Sequence, residues 1–261
     1  MQTRRLIRTA LALVGVLTAA GCAGPPVHRY FQPTADQIGP EPNSYGEVVV
    51  PRHGLIVVQG DQFAYGLVRG RSRHAINGAQ AGQASITISQ ALRKAVAGVE
   101  VENRGYPGDT VEASAARWAS LSPGDLLILC YGYGDLQAHT PPQAFSAALA
   151  KMIASAHASG AAVFVVMPPT SADPLINADL GSYRYSEYAV AHQAGVEVFD
   201  ASSAIYRIRA PVLKSAAQPA SVYQAVAADM VAYIKVVAPP QTGQAGSGES
   251  RTVRVSPASA S

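Results

Sequence analysis

Five short strand-like runs, most of them apolar, at 55–59, 99–103, 126–131, 162–167 and 196–199, alternate along the chain with stretches of helical period at 85–97, 111–120, 143–159, 183–194 and 220–237. Strands that are apolar on both faces must be covered on both faces, and helices between them let every strand run in the same direction. Gly98, Gly160 and Gly195 each stand between a helical stretch and the next strand, where a left-handed cap is commonly required. The expected fold is α/β: a flavodoxin-like three-layer α/β/α sandwich with a five-stranded parallel sheet. Ligands of such sheets bind beyond the carboxyl ends of the strands, here 60–62, 104–110, 132–135 and 168–171.

With 261 residues, 48% hydrophobic and 14% charged, the chain can build one substantial core once its ends are set aside, and 47–238 is assigned to a single domain. The net charge of +3 draws heavily on arginines at the N-terminus and within 69–73. No long basic face of the kind that tracks phosphates is present, so nucleic acid is not expected as a partner.

The first 22 residues read as a processing signal. Arg4, Arg5 and Arg8 form a charged leader, 9–18 is an apolar stretch too short to span a bilayer, and Ala19-Ala20-Gly21-Cys22 follows. This resembles a bacterial lipobox, which implies diacylation of Cys22, cleavage before it and acylation of the new amine. Such an anchor holds stably because it inserts more than one acyl chain. Ala23 lacks the acidic character that would argue for inner-membrane retention, so the expected location is the outer membrane, facing the periplasm. The stretch 23–46 is rich in Pro, Gln, Gly and Asn without period and reads as a flexible tether. The stretch 239–261, rich in Gly, Ser, Ala and Gln, reads as a disordered tail. With Cys22 assigned to lipid, Cys130 has no partner for a disulfide and is expected to be an inert buried thiol.

The carboxyl ends of the strands carry the motifs. The first strand ends in Gly60-Asp-Gln-Phe-Ala-Tyr-Gly66, the second is followed by Asn103-Arg-Gly-Tyr-Pro-Gly-Asp-Thr110, and the third by Gly132-Tyr-Gly-Asp135. Before the last helical stretch comes Ser215-Ala-Ala-Gln-Pro-Ala-Ser-Val-Tyr-Gln224. Together these resemble the blocks of SGNH (GDSL-like) hydrolases across roughly 50–237. The resemblance implies a nucleophilic serine where Gln62 stands and an oxyanion-hole N–H from Gly108. It also implies a second oxyanion donor, an asparagine, where Gly134 stands. A base histidine falls at Gln218 and its orienting aspartate at Ser215.

Glutamine offers an amide donor and a carbonyl acceptor but no group that becomes a nucleophile at neutral pH. Loss of triad members leaves on the order of 10³–10⁴ over water, and loss of an oxyanion donor costs roughly another 10²–10³. Hydrolysis through this site is therefore expected to be near background.

His28, His53, His157 and His192 fall in the tether, near the first strand or on helices, whereas His74 and His139 follow strand ends and are the candidates for a displaced base. Ser72 and Thr140 lie beside them as alternative hydroxyls. Asp61, Asp109 and Asp135 could suggest a hard cation, but the resemblance implies that they tie loops together, and no metal or other cofactor is expected. Tyr106, Tyr131, Tyr133 and the tyrosines of 183–188 are candidates to line a sugar-binding cleft or to pack beneath a loop.

The expected protein is a non-catalytic, SGNH-like envelope lipoprotein. Its cleft, with Asp61, Gln62, Gly108, Gly134, Asp135 and Gln218, would bind a glycan, an acylated polysaccharide or a protein partner. The alternatives are an acyl or carbohydrate esterase of the same family that uses displaced residues, and an envelope scaffold. Expressed in a Gram-negative host, the full chain is expected to incorporate labelled palmitate, and Cys22→Ala to abolish the label; label retained by the variant would remove the lipobox reading.

Overall fold

The computed structural model describes residues 47–76, 79–213 and 217–237. The signal segment 1–22 with Cys22, the tether 23–46, the tail 239–261 and Ser215 lie outside the described residues. In chain order the elements are β1 (Val48–Pro51), β2 (Leu55–Gly60), α1 (Gln62–Tyr65), β3 (Leu67–Ile76), β4 (Ala79–Gln83), α2 (Ile88–Ala95), β5 (Glu100–Gly105), α3 (Val111–Arg117) and β6 (Leu126–Cys130). They continue with α4 (Tyr133–Gln137), α5 (Pro142–Ala158), β7 (Ala162–Met167), α6 (Pro174–Ala194), β8 (Glu197–Asp200), α7 (Ala201–Arg207), α8 (Ala220–Val231) and β9 (Ile234–Val237).

The central sheet has five parallel strands in the order β5-β2-β6-β7-β8, as the alternating pattern implies. Successive side chains of a strand point to opposite faces, and β6 shows the consequence. Leu126, Ile128 and Cys130 enter one apolar cluster with residues of α2, α7 and α8. Leu127 and Leu129 enter a second with residues of α3, α5 and α6. The chain leaves β2 toward β5 on one side and later returns to β6 on the other, so the switch point lies at the carboxyl end of β2. Among the described residues no helix is long and apolar enough to cross a membrane.

Four features depart from the periodicity reading. The last helix was expected over 220–237, but α8 stops at Val231 and 234–237 forms β9, which pairs in parallel with β1 from Val48↔Ile234 to Val50↔Val236. Valine and isoleucine suit a strand better than a helix end once a partner strand is available. The hairpin β3–β4 fills the stretch between Leu67 and Gln83, with a register shift between Arg69 and His74. A further short helix, α7, follows β8 and is capped by Asp200, whose side chain accepts from the Ser202 N–H. Finally, α6 begins at Pro174, capped by Asp173, so Tyr183 lies within a helix instead of opening one.

The remaining boundaries follow local chemistry. Thr87 and Gln90 form a reciprocal capping box at the start of α2, and the Thr110 hydroxyl accepts from the Ala113 N–H at the start of α3. Gly98, Gly160 and Gly195 all have positive φ.

Gly105, at the end of β5, is required for a different reason. A Cβ there would sit 2.1 Å from the Tyr65 backbone nitrogen and 2.4 Å from the Ala64 carbonyl carbon, so α1 can lie against β5 only if residue 105 has no side chain. Gly105→Ala is expected to cost on the order of 2–3 kcal/mol through forced backbone displacement. Gly160→Ala, which meets nothing within 4 Å, should cost only about 1 kcal/mol for its left-handed backbone. Urea denaturation of the two variants measures the difference, and equal losses would remove the close-approach argument.

Candidate functional site

The carboxyl end of β2 turns into α1 over a single residue, Asp61, whose own N–H donates to the Cys130 carbonyl at 3.0 Å. The Asp61 side chain caps α1. Oδ1 accepts from the Phe63 N–H at 2.8 Å and Oδ2 from the Gly134 N–H at 2.9 Å, so one carboxyl joins the turn after β2 to the turn after β6. Asp135 repeats the device one layer out, accepting from the Val111 N–H at 3.1 Å and so tying the start of α3 to α4. Asp109 is held by Arg117, whose Nε and terminal nitrogen donate to its two oxygens at 3.2 and 3.1 Å. These three aspartates therefore fasten loops, and among the described residues no group of three or more His, Cys, Asp or Glu is arranged to hold a metal ion.

Gln62 is the first residue of α1 and is only 2% exposed. Its side-chain oxygen accepts from the Gly108 N–H at 3.0 Å. That N–H is the one that the family resemblance implies as an oxyanion donor, and here it has a partner within the chain. An oxyanion hole works only if its donors are free to meet the developing charge at about 2.7–3.1 Å. The second donor position is closed as well. A Cβ at Gly134 would lie 1.8 Å from the Asp109 carbonyl oxygen, which leaves no room for an asparagine with the backbone in this arrangement.

Gln218 is buried, and its N–H donates to the Leu67 carbonyl at 3.0 Å. The Tyr223 hydroxyl donates to the same carbonyl at 2.7 Å, while the Tyr223 ring packs against Phe63, 5.2 Å between centroids. The segment that the resemblance assigns to the base is thus docked against the exit of α1. Direct hydrogen bonds join Asp61 to Gly134 and Gln62 to Gly108, Asp135 bonds instead to Val111 at the start of α3, and Gln218 is held on the Leu67 carbonyl beyond α1. The side chains of Asp61, Gln62, Asp135 and Gln218 are all buried; Gly108 lies exposed at the rim.

His139 sits exposed just beyond α4 with a left-handed backbone, and His53, His157 and His192 are also exposed. Among the described residues no histidine is ion-paired to a carboxylate. The side chains of His74 and Ser72 lie outside the described residues. Thr140 uses its carbonyl to accept from the Tyr183 hydroxyl at 2.6 Å. Burial pushes the Cys130 thiol up, in keeping with an inert thiol.

Of the tyrosines proposed to line a cleft, Tyr131, Tyr133 and Tyr183 are buried and give their hydroxyls to Ser114, the Pro169 carbonyl and the Thr140 carbonyl. They pack instead of facing solvent. Tyr106 alone of the strand-end tyrosines is exposed, with the Arg117 guanidinium 4.1 Å from its ring centroid.

Sequence reasoning missed Glu187. This residue lies on the inner face of α6 with Leu180, Tyr183 and Ala191 and is 1% exposed. Its Oε2 has no hydrogen-bond partner among the described residues. The helical spacing of these four positions was the signal that could have found it. Burial, with Asp61 and Asp135 nearby, pushes its carboxyl well above the usual range. Burial also raises Asp61 to about 7, against the opposing pull of its backbone donors, and raises Asp135 to about 6.

Residues 60–227 match the model of the GDSL-like lipase/acylhydrolase family, and the chain belongs to that family. A search of curated proteins finds no match to it. Among solved structures, the fold is similar to LAE5, an alpha/beta hydrolase enzyme from the metagenome of Lake Arreo, at a TM-score of 0.55 and 18% identity, covering 69% of this chain and 94% of that one. It is similar to Axe2, an acetylxylan esterase from Geobacillus stearothermophilus, at a TM-score of 0.54 and 15% identity, covering 71% of this chain and 98% of that one.

The raised carboxyls make a stability prediction with a definite sign. An acid whose folded pKa exceeds its unfolded value favours the fold while protonated and loses that contribution as pH rises from its unfolded pKa to its folded one. For Asp61 that window runs from 3.8 to about 7. Stability in urea is therefore expected to fall by on the order of 2 kcal/mol or more between pH 5 and pH 8, and Asp61→Asn to flatten the dependence. A stability that rises over the same range would refute the burial argument.

Proposed function

We propose that this chain is a non-catalytic member of the GDSL-like family, anchored to the bacterial outer membrane through Cys22, whose domain binds a glycan or an acylated polysaccharide. One observation carries the reading. At the nucleophile position stands Gln62, and its side-chain carbonyl takes the Gly108 N–H that catalysis would need free. A serine replaced by a residue that merely left the hole open would be compatible with residual turnover. Here the replacement fills the hole, and the backbone around Gly134 leaves no space for the second donor.

The choice of a carbohydrate ligand is supported by fold likeness to Axe2, which acts on acetylxylan. That likeness and the family membership also favour the second reading, an ester hydrolase that uses displaced residues such as His139. An envelope scaffold, in which the tether or tail is the working part, is the remaining alternative.

Purified 23–261 is expected to hydrolyse an aryl acetate and acetylated xylan no faster than buffer. Gln62→Ser combined with Ser215→Asp and Gln218→His should gain measurable turnover while Gly134 is left unchanged. Turnover by the unmodified chain that His139→Ala abolishes would overturn the non-catalytic reading in favour of the esterase.

A further inference from the structure

We propose that Tyr106 is a carbohydrate-stacking platform on the rim of the closed site, and that its ligand is a neutral pyranose ring of a polysaccharide. This rests on the reading of the domain as a glycan binder and adds to it the residue and the kind of sugar.

The loop that follows β5 holds Tyr106 firmly. The Tyr106 N–H donates to the Gly60 carbonyl at 2.9 Å, and its own carbonyl accepts from the Asp109 N–H at 3.0 Å. Two residues on, Gly108 is fastened to Gln62. The ring itself is steadied from α3, because the Arg117 guanidinium lies 4.1 Å from its centroid while the same guanidinium grips Asp109 through two hydrogen bonds. Cation–π contact and a bidentate pair together fix the ring's orientation.

A large aromatic side chain held in this way, and still 51% exposed, pays little conformational entropy on meeting a ligand. The space beside it is open: a Cβ built on Gly108 would meet nothing within 4 Å. Tyr131 and Tyr133 are buried with bonded hydroxyls, so of these three strand-end tyrosines Tyr106 is the one that offers its face to solvent.

Charge selects the class of sugar. The cation against the ring is neutralised by Asp109, and the exposed Glu112 lies in the first turn of α3. An acidic sugar would find the Arg117 cation already paired with Asp109, whereas a neutral ring needs only an aromatic face for its C–H groups and polar neighbours for its hydroxyls.

The test is calorimetric titration of 23–261 with xylohexaose, cellohexaose and a hexameric oligogalacturonate, with an aryl acetate assay on the same samples. At least one neutral hexasaccharide is expected to bind, and the oligogalacturonate to bind more weakly. Tyr106→Ala should weaken neutral binding by about tenfold and Tyr106→Phe by less than about twofold, since stacking uses the ring and not the hydroxyl. Tyr206→Ala, which removes another exposed tyrosine on α7, should leave affinity unchanged. Undiminished binding by Tyr106→Ala, preference for the acidic oligomer, or no binding of either neutral hexasaccharide would each overturn the platform. Ester turnover by the unmodified chain would overturn the non-catalytic reading instead, and ring-dependent binding would still be read separately.

Discussion

The carboxyl of Asp61 is the joint on which this edge of the molecule closes. It lies fully buried between two backbone N–H groups, one in its own helix and one across the sheet at Gly134. A carboxyl can replace two waters of solvation with two aligned amide donors only if both chain segments approach to hydrogen-bonding distance. The glycines make that approach possible. A side chain at Gly60 would collide with the Cys130 carbonyl, one at Gly105 with Tyr65, and one at Gly134 with Asp109. Three strand ends are thereby drawn tightly around a short helix, and everything at the site inherits its position from that packing.

The tight closure has a chemical consequence. In the family to which this chain belongs, the same short turn delivers a nucleophile to a hole lined with N–H groups. Here the first residue of α1 is an amide long enough to reach the Gly108 N–H itself. The donor is satisfied internally, so the hole is stable without a ligand. The exposed rim beside this contact is formed by Tyr106 and Gly108.

Much of the site was legible in advance because its residues are bound to sequence-local geometry. The Gly-Asp turn after β2, the 103–110 block and the Gly132–Asp135 turn are short motifs whose spacing is set by backbone needs, and each fell where the pattern put it. The substitutions at 62 and 134 were visible for the same reason. Glu187 was not read, because a carboxylate within a long polar-faced helix resembles a solvated residue until packing shows that it lies inward beside Asp61 and Asp135. The pairing of Arg117 with Tyr106 was also invisible, since it joins a loop to a helix that passes beneath it.

Periodicity and glycine placement in the sequence alone determined the five parallel strands, the two helical layers and the edge of the sheet that bears the motifs. These follow from rules that act over a few residues: alternation along a strand, helical period and the conformational freedom of glycine. Only the tertiary structure decided that Ile234–Val237 would leave the last helix to pair with β1, because a strand needs a partner and here that partner lies at the other end of the domain sequence. It alone decided, too, that the side-chain oxygen of Gln62 would meet the Gly108 N–H, a contact that depends on how closely two strand ends pack and that no local pattern encodes.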